Sequence, residues 1–107
     1  MARSIPESDW KCFRELHRIA VARYCQQVLD EINQIAADPK ATSHERYLKI
    51  YKVIQERDRT MSELFDDMRR STALTHILMI CSRNLITEEE AGRFTQDTRD
   101  LISRFAT

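Results

Sequence analysis

The chain has 107 residues, 42% of them hydrophobic, which is enough for one domain with one modest core. Its 17 Lys and Arg balance its 17 Asp and Glu, so it lacks the basic excess of proteins held mainly to nucleic acid or to anionic lipid. One Gly and two Pro are too few for the turns of a β-rich fold, and we therefore expect a single all-α domain spanning residues 1–107.

The first predicted helix is long and apolar over a wide arc. Ser8 and Asp9 are residue types that cap helices. No Pro or Gly follows until Pro39, so we place helix 1 from about Asp9 to Ala37. Its apolar residues cover an arc of roughly 220°, and the centre of that arc moves between the first and second halves. Helix 1 is therefore expected to contact different neighbours along its length.

A capping box opens the second predicted helix. In Thr42–Glu45 the Thr hydroxyl accepts from the third amide of the helix, and the Glu carboxylate accepts from the cap amide. The preceding loop is Asp38–Ala41, because Pro39 disfavours helix at the residue before it. Apolar residues then recur on one stripe: Tyr47, Ile50, Tyr51, Ile54, Met61, Leu64, Phe65 and Met68. The next apolar residues lie roughly 140° from that stripe, which predicts a break within Arg69–Thr72.

Three shorter helices are predicted after this break. Helix 3, about Thr72 to Arg83, is apolar nearly all round, and Asn84 can adopt the left-handed conformation that ends it. Thr87–Glu90 is a second capping box and opens a short helix 4. Helix 5 runs from Thr95 or Gln96 to Phe105 and is expected to bury Leu101, Ile102 and Phe105. The sequence predicts a compact all-α bundle of four to five helices, two of them long and antiparallel, followed by shorter C-terminal helices.

The sequence favours a cytoplasmic location. The first ten residues lack the apolar stretch of a secretory signal, and the apolar run Ile77–Ile80 is far too short for a membrane span. The three cysteines are odd in number and form no C-x-x-C pair, which disfavours both disulfides and a thiolate zinc site. We expect three reduced thiols, with Cys25 and Cys81 in the core and Cys12 more exposed.

No motif predicts catalysis. A single Gly excludes the glycine-rich loops that bind nucleotides. The E-x-x-H pairs of di-iron bundles and the H-E-x-x-H motif of zinc proteases are both absent. We therefore expect no enzymatic activity, no cofactor and no metal site, and we rank an enzyme or metal protein built round His17 behind the other classes of function.

Polar residues interrupt the apolar faces of helices 1 and 2. His17 lies on the apolar arc of helix 1, and Arg57 and Asp58 fall within the stripe of helix 2. In an antiparallel hairpin residue i faces about residue 79 − i, which places Asp58 within one turn of His17. We predict that His17 and Asp58 meet, or reach each other through Arg57 or one water, in a polar pocket that also includes Tyr24. Such a pocket either binds an anion or transfers a proton, or it is a satisfied network that fixes the helix register.

Basic residues form a second candidate site. Lys11, Arg14 and Arg18 share one face of helix 1, and Arg69 and Arg70 lie at a helix junction. Acidic residues lie among these cations, and neither interleaved aromatics nor a helix-turn-helix glycine is present. A solvated charged face is therefore favoured over a nucleic-acid interface.

The length of helix 1 favours a dimer. A globule of this size is roughly 34 Å across, whereas about 28 helical residues extend about 42 Å. The bundle is therefore elongated, or its long helices are covered by a second chain, and the wide apolar arc favours a homodimer through helices 1 and 2. We expect a cytoplasmic interaction or scaffold module whose partner is a second copy or another protein. The alternative is a small regulatory protein that binds an anionic ligand or nucleic acid through Arg14, Arg18, Arg57 and Arg69.

Overall fold

Helices make up 75% of residues 4–105, the part of the chain that the computed structural model describes, and this part contains no strand. The helices are α1 (Glu7–Ala36), α2 (Ser43–Phe65), α3 (Ala73–Ser82), α4 (Glu88–Ala91) and α5 (Gln96–Phe105). The predicted all-α bundle with two long antiparallel helices is confirmed. No helix within residues 4–105 is long and apolar enough to cross a membrane.

Both predicted capping boxes form. Thr42 Oγ1 accepts from the Glu45 amide at 3.1 Å, and the Glu45 carboxylate accepts from the Thr42 amide at 3.0 Å. The same exchange joins Thr87 and Glu90 at 3.1 and 2.9 Å. Asn84 adopts a φ of 60° directly after α3, as predicted for the residue that ends that helix. These local signals fix where three of the elements begin or end.

The helix break comes earlier than predicted. α2 ends at Phe65 rather than near Met68, and Asp67 has a φ of 60°. The Thr72 hydroxyl donates to the Asp67 carbonyl at 2.8 Å and accepts from the Arg69 amide at 3.2 Å. A side-chain hydroxyl thus closes the turn and replaces the hydrogen bonds of a continuing helix.

The helices form two unequal parts, a base and an arm. In the base, α3, α4 and α5 pack beside the first half of α1 and the end of α2. The fully enclosed side chains there include Phe13, Leu16, Ile77, Ile80 and Leu85. The arm is the hairpin formed by residues 25–52, and none of its residues is buried. The molecule is therefore elongated, at 52 × 26 × 22 Å.

One buried carboxylate fastens α5 to α1. Asp9 is only 1% exposed, and it accepts hydrogen bonds from the Thr95 amide at 2.8 Å, the Thr95 hydroxyl at 2.7 Å and the Thr98 hydroxyl at 2.6 Å. Thr95 directly precedes α5 and Thr98 lies in its first turn, so Asp9 caps this helix from across the fold. The sequence had suggested that Asp9 caps helix 1, but α1 begins at Glu7 and Pro6 occupies its cap position.

An ion pair ties α1 to α4. The Arg23 guanidinium donates to both carboxylate oxygens of Glu90, at 2.6 and 2.9 Å, and to the Leu85 carbonyl at 3.0 Å. The hydrogen bonds from Arg23 are the main cause that lowers the pKa of Glu90 to about 2. The same carboxylate also accepts from the Thr87 amide, so the pair links a helix cap to the long helix.

Three side chains lie elsewhere than predicted. Cys12 is buried and Cys25 is exposed, because Cys12 lies within the part of α1 that the base covers and Cys25 lies beyond it. Phe105, at the end of the last helix, is 60% exposed rather than in the core. Cys81 is buried in α3, as predicted.

Replacing Asp9 tests whether its carboxylate holds the last helix in place. Asp9→Ala should lower the free energy of unfolding by about 3 kcal/mol, because buried donors lose a charged acceptor. Asp97→Ala, which removes an exposed carboxylate from the first turn of α5, is the matched control and should cost less than about 1 kcal/mol. Urea denaturation followed by circular dichroism measures both, and equal costs would contradict the role given to Asp9.

The Arg23–Glu90 pair predicts a pH dependence. Because the pKa of Glu90 is lowered from 4.5 to about 2 in the folded chain, its stabilisation is complete above about pH 5 and is lost as the pH falls toward 2. Glu90→Gln should therefore be less stable than the wild type at neutral pH, and the difference should shrink on acidification. Denaturation curves of both proteins across this range provide the measurement, and a difference independent of pH would contradict the prediction.

Candidate functional site

The predicted contact between His17 and Asp58 is wrong. His17 Nε2 lies 3.1 Å from the Phe65 carbonyl oxygen, and its ring packs edge-on against the Phe13 and Phe65 rings. Asp58 is exposed and makes no hydrogen bond or ion pair with any residue of the described range 4–105. His17 is therefore a packed helix-helix contact, and Asp58 is a surface carboxylate.

The hairpin register explains this difference. The sequence placed Tyr24 opposite Gln55, whereas the Tyr24 hydroxyl donates to the Arg57 carbonyl at 2.9 Å. This shift of two residues moves Asp58 about 3 Å further along the hairpin from His17. Of the four residues predicted to form the pocket, Tyr24, Arg57 and Asp58 line one groove of the hairpin, and His17 lies outside it. Within this set, the hydrogen bond joins Tyr24 and Arg57.

The Arg57 guanidinium binds a residue that the sequence analysis missed. It donates two hydrogen bonds of 2.9 Å to the carboxylate of Glu31. Each partner shifts the pKa of the other, so that the pKa of Glu31 is lowered and that of Arg57 is raised. Glu31 lies seven residues after Tyr24 on the side of α1 toward α2, and this spacing is the signal that could have identified it. The pairing offsets the positive charge of Arg57, which weakens the case for an anion site there.

The five basic residues do not form one face. Arg69 is paired with Asp67 at 2.8 Å, next to it in the turn after α2. Arg70 is paired with Glu7 at 2.8 Å, at the start of α1. Both cations therefore serve local structure at separate places, and neither extends the row on α1.

Three cations remain together on α1. Lys11, Arg14 and Arg18 make no ion pair with any residue in the described part of the chain. The Arg14 guanidinium lies over the Trp10 ring, 5.6 Å from its centroid. Glu15, which lies among them, is held by Arg93 at 2.6 Å. This row therefore keeps its positive charge.

An exposed apolar face covers one side of the arm and extends just beyond it to Ile54. On α2, Tyr47, Tyr51 and Ile54 are 65%, 58% and 48% exposed, although the sequence stripe suggested burial. On α1, Leu29 is 52% exposed. Helical spacing places these four side chains in two adjacent rows, whereas Leu48, which is 50% exposed, lies about 100° from Tyr47 on another side of α2. We call this surface the arm face and define it by Cys25, Leu29, Ile32, Tyr47, Tyr51 and Ile54.

A groove of about 320 Å³ runs between the two rows. Its lining is apolar apart from Arg57 and Asp58 at one end, and it includes Val28 and Met61 beneath the arm face. The other side of the hairpin carries a cavity of about 750 Å³ with a mixed lining. Charged and polar residues, among them Glu31, Lys40, Glu45 and Lys49, line it together with Ile35, Ala41 and Val53. The two sides of the hairpin therefore differ, because charged residues are frequent on this side and nearly absent from the arm face.

Comparisons with known proteins leave the geometry as the guide to function. No protein-family model, no curated protein and no solved structure matches the chain. Within residues 4–105, no group of three or more His, Cys, Asp or Glu side chains is placed to hold a metal ion. The arm face is the surface whose composition most needs an explanation.

Thiol reactivity tests the placement of the arm face. Cys25 is exposed, whereas Cys12 and Cys81 are buried, and burial raises the pKa of Cys12 and raises that of Cys81 to about 11. A thiol reagent at about pH 8 should therefore label one cysteine rapidly in dilute native protein and the other two only after unfolding. Cys25→Ser should abolish the rapid phase, and a rapid phase that survives this change would contradict the placement.

Proposed function

We propose that the protein is a cytoplasmic interaction module that self-associates, with the arm face covered by a second copy of the chain. The observation that carries the proposal is the arm, where residues 25–52 include no buried residue although both helices carry apolar rows on one side. A helix normally buries its apolar stripe against another layer of structure. The arm has only its own two helices, so a further layer is needed to cover this side.

The size of the face supports an interface. Four large side chains exposed by roughly half contribute about 400 Å² of apolar surface, before the groove between them is counted. This is as large as the patches that mark binding surfaces on monomeric proteins. The half-buried side chains Val28, Ile32 and Met61 extend this apolar surface into the groove.

A second copy suits this face electrostatically. The chain has a net charge of zero, so two copies do not repel each other at long range. The arm face itself is uncharged, and an apolar patch of this kind can pack on its own two-fold image. Three free cysteines, one of them exposed, fit the reducing environment of the cytoplasm.

Binding of an anionic ligand or nucleic acid is the second candidate. It is favoured by the unpaired row Lys11, Arg14 and Arg18 and weakened because Arg57 and Arg69 are already paired. Three phosphate contacts would make the affinity fall by tens of fold between about 50 and 200 mM salt. Anisotropy of a labelled oligonucleotide at both salt concentrations tests this, and no salt-dependent binding would reject it.

A lysine pair in the arm face tests self-association. In Tyr51→Lys/Ile54→Lys, two ammonium groups would have to be buried in the dimer, so dimerisation should weaken at least about 100-fold. Both side chains are about half exposed in the single chain, so the helix content should not change. Light scattering at about 10–100 µM should give roughly twice the 12.7 kDa chain mass for the wild type and the chain mass for the variant.

Glu56→Lys is the matched control, because this exposed residue of α2 lies outside the arm face by helical spacing. It introduces the same charge and should leave the dimer intact. A wild-type mass of 12.7 kDa across the whole concentration range would refute the proposal.

A further inference from the structure

We infer that the two copies associate with their arms side by side and both bases at the same end, so that Asp58 of each copy pairs with Arg18 of the other. This inference rests on the proposed function. It adds the charged contact that selects one orientation of the dimer.

Asp58 is a charge at the edge of the surface to be covered. It lines the groove together with Ile54 and Met61, and it has no partner within residues 4–105. Its neighbour Arg57 is turned to Glu31 and does not neutralise it. A second copy that covers the groove removes water from this carboxylate, which is costly unless the copy also supplies a cation.

Arg18 is the cation on the same side of the molecule. Arg18, Cys25 and Ile32 lie at i, i+7 and i+14 on the continuous helix α1, so their side chains share an arc of roughly 40°. Arg18 makes no ion pair within the described chain. The adjacent carboxylate of Glu15 is hydrogen-bonded to Arg93, which is the main cause that lowers its pKa, and the charge of Arg18 contributes to this shift from a greater distance. The row that carries the apolar side chains of the arm thus continues toward the base as a row of unpaired cations.

A two-fold axis along the length of the arm brings these groups together. Such an axis places α1 of one copy against α2 of the other at the same height. The Tyr24–Arg57 contact fixes the relative position of the two helices along this axis, and it places Asp58 level with Arg23 of α1. Asp58 therefore lies about five residues, or about 7.5 Å, along the axis from Arg18 of the second copy. An extended Arg side chain spans this distance. The same register places Leu29 opposite Tyr51 of the second copy, apolar against apolar.

The opposite orientation leaves the carboxylate unpaired. If the arms pointed in opposite directions, the two-fold axis would lie across the arm face and α2 would pack against α2, so Asp58 would lie near the start of α2 of the second copy. That turn carries the carboxylate of Glu45, and Arg46 beside it already donates to the Ala36 carbonyl and the Ser43 hydroxyl of its own copy. That arrangement would bring Asp58 toward another carboxylate, and the charge pattern therefore favours the orientation with both bases together.

Charge reversal tests the contact. Asp58→Arg and Arg18→Asp should each weaken the dimer at least about 10-fold, because each places like charges at two symmetry-related positions. The chain with both changes should return to within about 3-fold of the wild-type dissociation constant, and a mixture of the two single variants should form a heterodimer. Glu56→Arg is the control and should have little effect. Sedimentation equilibrium measures the dissociation constant of the two single variants, the double variant, the mixture and the control, each against the wild type.

The outcomes separate the two proposals. A wild-type chain that remains monomeric refutes self-association itself. A wild-type dimer that Asp58→Arg does not weaken, or that the double reversal does not restore, leaves self-association standing and overturns the Asp58–Arg18 contact.

A distance measurement tests the orientation directly. Spin labels at Lys40→Cys in a Cys25→Ser background mark the two arm tips, while Cys12 and Cys81 are buried. With both bases at one end, the labels of a dimer should lie within about 25 Å. In the opposite orientation they should lie at least about 35 Å apart, since each tip is about 12 residues beyond the middle of the face. The longer distance, in a protein shown by its mass to be dimeric, would overturn the inference.

Discussion

The length of α1 constrains the rest of the structure. Its 30 residues extend about 45 Å, nearly the full 52 Å of the molecule. The helices that follow α2 have only 10, 4 and 10 residues, so the longer ones extend about 15 Å and can cover only part of α1. The remaining part of α1 can pack only against α2. A two-helix arm with an uncovered side follows directly from this allocation of residues.

Polar contacts from α1 determine where the short helices lie in the base. Asp9 binds Thr95 and Thr98, and Arg23 binds Glu90, in both cases between residues distant in the sequence. Apolar packing alone tolerates several placements of a ten-residue helix, whereas a buried carboxylate with three donors tolerates one. The two contacts lie near opposite ends of the part of α1 that the base covers. These two contacts therefore fix both ends of the base, and the arm begins just after Arg23.

The sequence predicted the features that depend on neighbouring residues. The capping boxes at Thr42 and Thr87 and the left-handed Asn84 are decided within about four residues, and all three are confirmed. The role of Asp9 depends on α5, which no local pattern reveals. The exposure of Cys25 and Tyr51 depends on how far the base extends along α1, which periodicity does not report. The predicted contact between Asp58 and His17 does not form because the hairpin register differs by two residues from the one assumed, which moves Asp58 away from His17.

The apolar residues of the arm exceed what the hairpin itself requires. Contact with α2 accounts for the row of α1 that contains Tyr24 and Val28, but the apolar arc continues sideways through Leu29 and Ile32. α2 likewise carries Tyr51 beyond the row that faces α1. Both extensions lie on the same side, whereas charged residues are frequent on the other side. A hairpin adapted only to water would place polar residues on both sides. This excess of apolar residues on one side is the feature on which the proposed self-association rests, and the proposed orientation adds to it the charges of Arg18 and Asp58 at the edge of the arm face.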